Sequence, residues 1–491
     1  MNDDARARDS ATRETWEPVI GLEIHVQLST KTKMFCGCAL SFGDEPNVHT
    51  CPVCLGHPGT LPTVNEQAIR YALMIAAALE CEAAPRSIFH RKNYFYPDLP
   101  KGYQISQYDE PLAVNGRLGD IRIHRAHLEE DAAKMIHVGE SGRIHGSGAS
   151  LVDFNRGGTP LVEIVTEPDI RSPGEAREWA QLLRTTIRQL GVSDVNMEEG
   201  SLRVDANVSI RPQGSDELGT KTELKNMNSF RFLERGIEAE VARQQGLLES
   251  GEKVVQDTLH FHPEDGSLTP LRSKEYAHDY RYFPEPDLVP VAPTEQMLTK
   301  ARESLPELPA ARRERYVSEV GLSEEAATTL AFQSEYAEYF ERAVGAADGA
   351  SAKSIANWVT GELVATLRQA GGEEDPLASK ATPEAVAVLA GLVEEKKISH
   401  GSGKQVLERL VAEGGNPGEI VESEGLAQIS DSSELEAIVD RAIEVESEAA
   451  DQVRGGNEKA IGRIVGAIMK ETKGRADGGA VTKLIRERLR S

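Results

Sequence analysis

The chain reads as an α+β protein, with a strand-rich N-terminal domain followed by helices. From Pro18 to about Pro290, short β-type runs recur between Gly and Pro breaks, and several alternate polar and apolar residues as half-buried antiparallel strands do. After PVAPTEQ, aromatic residues thin out, strands vanish, and Ala, Glu, Leu and Arg recur at helical spacing. A length of 491 residues suits about two to four domains and a sizeable core.

The elements follow in order. MNDDARARDSATRETWEP is polar and of mixed charge, without the apolar stretch of a signal peptide, so residues 1–17 read as a disordered leader of a cytoplasmic protein. VIGLEIHVQL, GDIRIHRAHL, LVDFNRGGTPLVEIVTE, SLRVDANVSI, GTKTELKNM and DTLHFH read as strands. Two helices interrupt them, over Asn65 to Ala83 and Pro173 to Leu190; Ser172 as N-cap, Pro173 in the first turn and Glu175 three residues on open the second. Residues 18–292 thus form one α+β domain and 293–415 a helical domain. The break at Gly414-Gly415-Asn416-Pro417 leaves 416–491 as a small helical tail domain, built on DSSELEAIVDRAIEVES and NEKAIGRIVGAIMKET.

No run approaches the roughly 20 apolar residues of a membrane span, so no membrane partner is expected. With 79 acidic against 55 basic residues, the net charge is −24. Phosphate binding ordinarily calls for a basic footprint. Either nucleic acid is not a ligand, or the whole surface is acidified for concentrated salt, as in halophiles. Acidic stretches spread along the C-terminal half, rather than gathered into one tail, favour the second account.

Cys36-Gly37-Cys38 and Cys51-Pro52-Val53-Cys54 place four of the five cysteines within 19 residues, with 12 between the pairs. That is the spacing of a four-thiolate zinc site, which leaves no open position for substrate and so pins a loop. Four reduced thiols or two disulfides are the plainer alternatives; the turn-like setting in a cytoplasmic chain favours metal. Cys81, in an Ala-rich helix, reads as a small core residue.

A second set gathers carboxylates and one imidazole on β-like runs: Glu23 and His25 in GLEIH, Glu129 and Glu130 in HLEED, Asp205 in RVDAN and Glu223 in TELKN. Glu23 and His25, two apart, project from one strand face. Oxygen ligands with one imidazole suit Mg²⁺ or Mn²⁺ at a nucleotide's phosphates. Taken singly, each acid reads as solvent-facing, and Glu130 and Lys134 have the spacing of a surface i,i+4 pair.

Around them, Asn155-Arg156-Gly157-Gly158 and Lys225-Asn226 supply the cations and free amides a phosphoryl group needs, although no Walker, kinase or Rossmann glycine pattern occurs. HRKNYFYPDLPKGYQISQY mixes basic and aromatic residues. It suits either a clasp for an RNA acceptor end or an aromatic-lined loop packed on the domain. No Ser-Ser-Lys amidase signature and no Cys/His nucleophile pair outside the cysteine cluster occurs, so the chain is not expected to release ammonia itself.

Taken together, VIGLEIHVQLSTKTKMFCGC, CPVCLGHPGTLPTVN, RKNYFYPDLPKGYQISQYD, HLEEDAAK, DFNRGGTPLVEIVTEPD, RVDANVSI and TELKNMNSF resemble the B subunits (GatB) of the GatCAB aspartyl/glutamyl-tRNA amidotransferases. The archaeal GatE subunits are near relatives with a large extra domain before the tail, for which this chain has no room. The resemblance implies a glutamine-synthetase-like cradle, a helical domain and a YqeY-like tail that meets tRNA. It implies that ATP and Mg²⁺ activate the side-chain carboxylate of Glu-tRNA(Gln) or Asp-tRNA(Asn), with ammonia from the A subunit and a C subunit completing the enzyme. Carried over, Glu23, His25, Glu130 and Glu223 become Mg²⁺ ligands or their neighbours, with Glu129 and Asp205 behind them. Lys134, Arg156 and Lys225 then face phosphate with Asn155, Gly157, Gly158 and Asn226 at the nucleotide, and the four cysteines match the zinc-bearing members. A zinc-stabilised scaffold that only docks tRNA, and a free-standing ATP-dependent ligase, are the competing readings.

Overall fold

The computed structural model describes residues 15–138, 148–225, 227–272, 277–369, 375–428, 432–472 and 475–490. It forms two compact units that divide between Leu308 and Pro309. The expected boundary at 292/293 falls one helix earlier, because the helix Glu295–Glu303 packs against the first helix of the N-terminal unit.

In the first unit the strands are β1 (Trp16–Gln27), β2 (Glu82–Ala83), β3 (His90–Asn93), β4 (Tyr103–Ser106), β5 (Ala113–Leu118), β6 (Ile121–Glu130) and β7 (Lys134–Val138). They continue as β8 (Ala149–Asp153), β9 (Pro160–Thr166), β10 (Leu202–Pro212), β11 (Thr222–Lys225), β12 (Thr258–Phe261), β13 (Leu268–Arg272) and β14 (Phe283–Pro284). Among the described residues nine form one sheet, in the order β13-β12-β11-β10-β1-β9-β6-β5-β2, antiparallel except between β11 and β12. The order β14-β3-β4 forms a small second sheet, and β7 and β8 pair as a ribbon.

The pleat divides the central strands into two faces. Leu22, Ile24 and Val26 of β1, Leu128 of β6, Val162 and Ile164 of β9, and Val204 and Ala206 of β10 are buried on one face. Burying each large aliphatic side chain contributes about 1.5–3 kcal/mol. Three helices line this apolar side: α1 (Glu66–Ala78) lies against β5 and β6, α3 (Phe230–Glu249) against β10, and α2 (Pro173–Leu190) against both helices. The opposite face carries the charged residues, several of them buried, with Ser106 of β4 against Glu129.

α2 starts and ends where its caps predict: the Ser172 side chain accepts from Glu175 N, and Gly191 stops the helix in the left-handed conformation. α1 is capped by Asn65 but ends at Ala78, short of the expected Ala83, because the chain turns at Glu80 into β2. Cys81 lies there under burial that pushes its thiol up to about 12, and Gly116 leaves room for it: a Cβ at Gly116 would stand 2.2 Å from the Cys81 sulfur. α3 went unread in the sequence, although Ser229 caps it by accepting from Phe232 N. Residues 1–14 of the expected leader lie outside the described residues, and Trp16 already belongs to β1.

The second unit is helical. One core gathers around Tyr316, Tyr339, Phe340, Trp358, Val386 and Leu407, and a separate one around Val439, Ile464, Ile468 and Ile485. Val421 and Leu426 belong to the first core, so the two cores part between Leu426 and Leu435 rather than at 415/416. No helix among the described residues is long and apolar enough to cross a membrane.

Candidate metal and phosphate site

Strand pairing assembles the charged face. Glu23 lies opposite Asp205, and His25 opposite Arg203 on one side and Glu163 on the other. His127 lies opposite Glu163, and Asn207 opposite Glu223. Directly paired residues point to the same side, so strands distant in sequence deliver one constellation.

At its centre, His25 Nε2 stands 3.4 Å from Glu163 and 3.8 Å from both Glu23 and Glu129. Two triads that could hold a cation share this imidazole: Glu23, His25 and Asp205, and His25, Glu129 and Glu163, with the ligand atoms of each within 4.8 Å of one another. Opposite ligands of octahedral Mg²⁺ stand about 4.2 Å apart, so both sets fit a small divalent ion after slight contraction.

The electrostatics show how strongly the acids are crowded. Burial and the Glu163 charge raise Glu23 above the ordinary carboxylate range. Burial alone would raise Glu163 too, yet the imidazoles of His127 and His25 and the Lys92 ammonium hold it well below that range. Burial opposes protonation of His25, but its bond to Glu163 and the surrounding carboxylates push it up to about 9. The protein thus meets its buried anions with imidazolium and ammonium groups, the environment that a metal ion would supply in their place.

Neighbouring side chains fix the ligands. The Ser106 hydroxyl donates to Glu129 at 3.0 Å, and that of Thr258 to Glu223 at 2.9 Å. Lys225 donates to Asp205 at 2.6 Å and stands 3.4 Å from Glu223, and both partners hold its pKa up against the penalty of burial. Asn226 lies outside the described residues.

The structure does not bring Glu130 into this cluster. Its carboxylate points to the other side of the strand end, where it pairs with Lys101 and accepts from Ile105 N at 2.9 Å. There it lines a cavity of about 240 Å³ with Lys33, Cys36, Cys54, Lys101 and Gly158. Adjacent acids on a strand face opposite ways, so of the HLEED pair Glu129 joins His25. Lys134 opens the exposed β7–β8 ribbon opposite Asp153. Arg156 donates to the Ala132 and Ala133 carbonyls at 2.9 and 3.0 Å, beside Asp131 at 3.8 Å.

Asn155, Gly157 and Gly158 form the turn that grips the cysteine loop. The Asn155 side chain accepts from His49 N and donates to Glu45 O, while Gly158, at φ +90°, accepts from Met34 N through its carbonyl. The four sulfurs lie within 4.8 Å of one another. Zn–S bonds of about 2.3 Å place tetrahedral sulfurs about 3.8 Å apart, so the set fits zinc with small adjustments. Within the cluster the Cys36 thiol donates to Cys54, which pushes Cys54 down to about 4 and Cys36 far up.

Residues 18–299 match the GatB/GatE catalytic domain and residues 338–489 the GatB domain. The chain belongs to the GatB/GatE family. Family members named as the B subunits of aspartyl/glutamyl-tRNA(Asn/Gln) amidotransferases include that of Persephonella marina, 48% identical over 97% of this chain and 100% of the relative. Those of Brevibacillus brevis, at 49%, and Geobacter sulfurreducens, at 48%, each match over 97% of this chain and 99% of their own. The charged face lies wholly within the stretch matched by the family's catalytic domain.

Sequence reading missed Glu163, His127, Lys92, Asp131 and Arg203. Glu163 carried a signal: it is the one acid inside PLVEIVT, a strand otherwise nearly all buried and apolar. The others become visible only once strand register is known.

Proposed function

We propose that this chain is the B subunit of a tRNA-dependent amidotransferase that activates the side-chain carboxylate of Glu-tRNA(Gln) or Asp-tRNA(Asn) with ATP and replaces the activated oxygen by ammonia. The observation that carries this is the pair of acid–imidazole triads sharing His25 on the charged face of the large sheet. A surface meant only to dock RNA has no use for buried acids that repel phosphate, which weighs against a non-catalytic scaffold.

In this reading the charged face is the floor of a cradle related to that of glutamine synthetase. Glu23, His25, Glu129, Glu163 and Asp205 hold Mg²⁺. A bound Mg²⁺ neutralises the γ-phosphate charge so that the anionic carboxylate can approach it. Lys225, fixed by Asp205 and Glu223, presents an ammonium to the same phosphate. The carboxylate oxygen attacks the γ-phosphorus and ADP departs. Ammonia then attacks the carbonyl carbon, and inorganic phosphate leaves with the C–O bond. The substrate's carboxylate oxygen, otherwise a very poor leaving group, departs as phosphate. Among the described cysteines, the four in the loop hold structural zinc. The A subunit supplies the ammonia, a C subunit completes the complex, and the tail meets the tRNA. The acidic surface suits concentrated salt, leaving RNA contact to local basic patches.

The test is ATP-dependent amidation of each misacylated tRNA, with ammonium chloride as nitrogen source, by the chain alone and with its co-purified A and C subunits. Amidation that requires ATP and Mg²⁺ supports the proposal. Turnover by the chain alone would establish a free-standing ligase instead, and tRNA binding without ATP-dependent amidation in either form would establish the docking scaffold.

A further inference from the structure

Among the described residues, the charged face holds a cation that neither the metal triads nor the fold uses up. Arg203 lies on β10 directly opposite His25 of β1, so its side chain emerges on the ligand face next to the imidazole shared by both triads. Its Nη2 donates to Asp131 at 3.0 Å. Asp131 is itself buried, and it also accepts from the Gln27 amide at 2.6 Å. The guanidinium is therefore anchored at one corner. Its Nε is buried without a hydrogen-bond partner among the described residues, while the side chain as a whole stays 38% exposed.

An arginine has five N–H donors in a planar fork. One holding bond to a buried acid orients that fork and leaves Nη1 without a hydrogen bond among the described residues in a partly exposed side chain, an arrangement that can bind a carboxylate or phosphate through its terminal nitrogens. Arg156 approaches the same Asp131, but its Nε and Nη2 donate to the Ala132 and Ala133 carbonyls, which tie it to the backbone. Of the two, Arg203 has fewer donors engaged and stands directly opposite His25, beside the metal triads.

We propose that Arg203 is a catalytic residue that binds the anionic oxygens of the reacting group, either the nucleotide's γ-phosphate or the aminoacyl carboxylate. Asp131 and Gln27 are its positioning residues. This rests on the amidotransferase reading above, and it adds the contact that holds one anion against another while both lie beside the metal ligands. Removing one preorganised donor of this kind typically costs about a hundredfold or more in turnover.

The experiment uses the complete complex, with ammonium chloride as nitrogen source, and compares wild type with Arg203→Gln and Arg203→Lys after circular dichroism and thermal unfolding have shown both variants folded. Arg203→Gln should lose about a hundredfold in kcat/KM, and Arg203→Lys, which keeps the charge and can keep the bond to Asp131 but loses the fork, should lose less. The two anion sources separate in binding. If the γ-phosphate is the partner, Arg203→Gln weakens ATP but not ADP. If the carboxylate is the partner, both nucleotides bind as before and KM for misacylated tRNA rises. Folded Arg203→Gln complex with wild-type kcat, KM values and ATP-to-ADP preference would overturn the proposal and leave the amidotransferase reading intact. Absence of ATP-dependent amidation in the wild-type complex would instead overturn that reading.

Discussion

Replacing Asp131 by Asn removes the charge that ties the end of the ligand face together while keeping the side chain's volume. Asp131 accepts from Gln27 at 2.6 Å and Arg203 at 3.0 Å, with Arg156 at 3.8 Å. Hydrogen bonds to charged groups are worth about 1.5–3 kcal/mol each, and an amide would turn its NH₂ toward one of these donors. The two arginine side chains are 38% and 35% exposed and can rehydrate, so the expected loss lies below the sum, at about 2–3 kcal/mol near neutral pH. Burial alone would raise the Asp131 pKa, but Arg203 and Arg156 hold it below the ordinary carboxylate value. A carboxyl depressed in the folded state stabilises fully above its unfolded pKa of about 3.9, and that contribution is lost as pH falls through the depressed folded value. The gap between wild type and Asp131→Asn should therefore hold from neutral pH down to about pH 5 and close on further acidification. Urea denaturation of the full chain carrying Trp358→Phe, read by the fluorescence of Trp16 and Trp179, reports on the first unit alone, because those are the tryptophans it contains. A gap under about 1 kcal/mol at neutral pH, or one undiminished near pH 3, would refute this account of the cluster.

The remaining predictions concern the metals and the tail. Protein from a metal-replete culture should carry about one zinc per chain, and Cys51→Ser should lose it; cysteines found as mutual disulfides in reduced extract would contradict the assignment. Glu163→Gln should abolish ATP-dependent amidation without rescue by ammonium salt, whereas the same salt should restore a complex whose A subunit is catalytically dead; full activity of Glu163→Gln would count against the triad. Glu130→Gln, which removes the carboxylate facing Lys101, should leave Mg²⁺ affinity closer to wild type than Glu163→Gln does, a comparison made directly by titrating Mg²⁺ against amidation rate. Truncation after Gln428 removes the separate tail core but no residue of the main helical one, so it should raise KM for misacylated tRNA while leaving glutaminase activity of the complex unchanged; loss of glutaminase would assign the tail a structural role.

The linear sequence showed the strand-rich region followed by helices, the caps of α2, the spacing of the cysteine cluster, and Glu23, His25 and Asp205 as candidate ligands, since these depend on spacing over a few residues. α3 went unread because its Phe, Gly and Gln residues blur the helical period that Ser229 opens. The choice between Glu129 and Glu130 was not legible, because the pleat sends neighbours to opposite faces and only the docking of β4 shows which one meets Ser106 and His25. Glu163, His127 and Arg203 entered the site through pairing of strands more than 30 residues apart in sequence. Register across a sheet is decided by which apolar face can be buried as a whole, and that is a property of the assembled fold rather than of any segment.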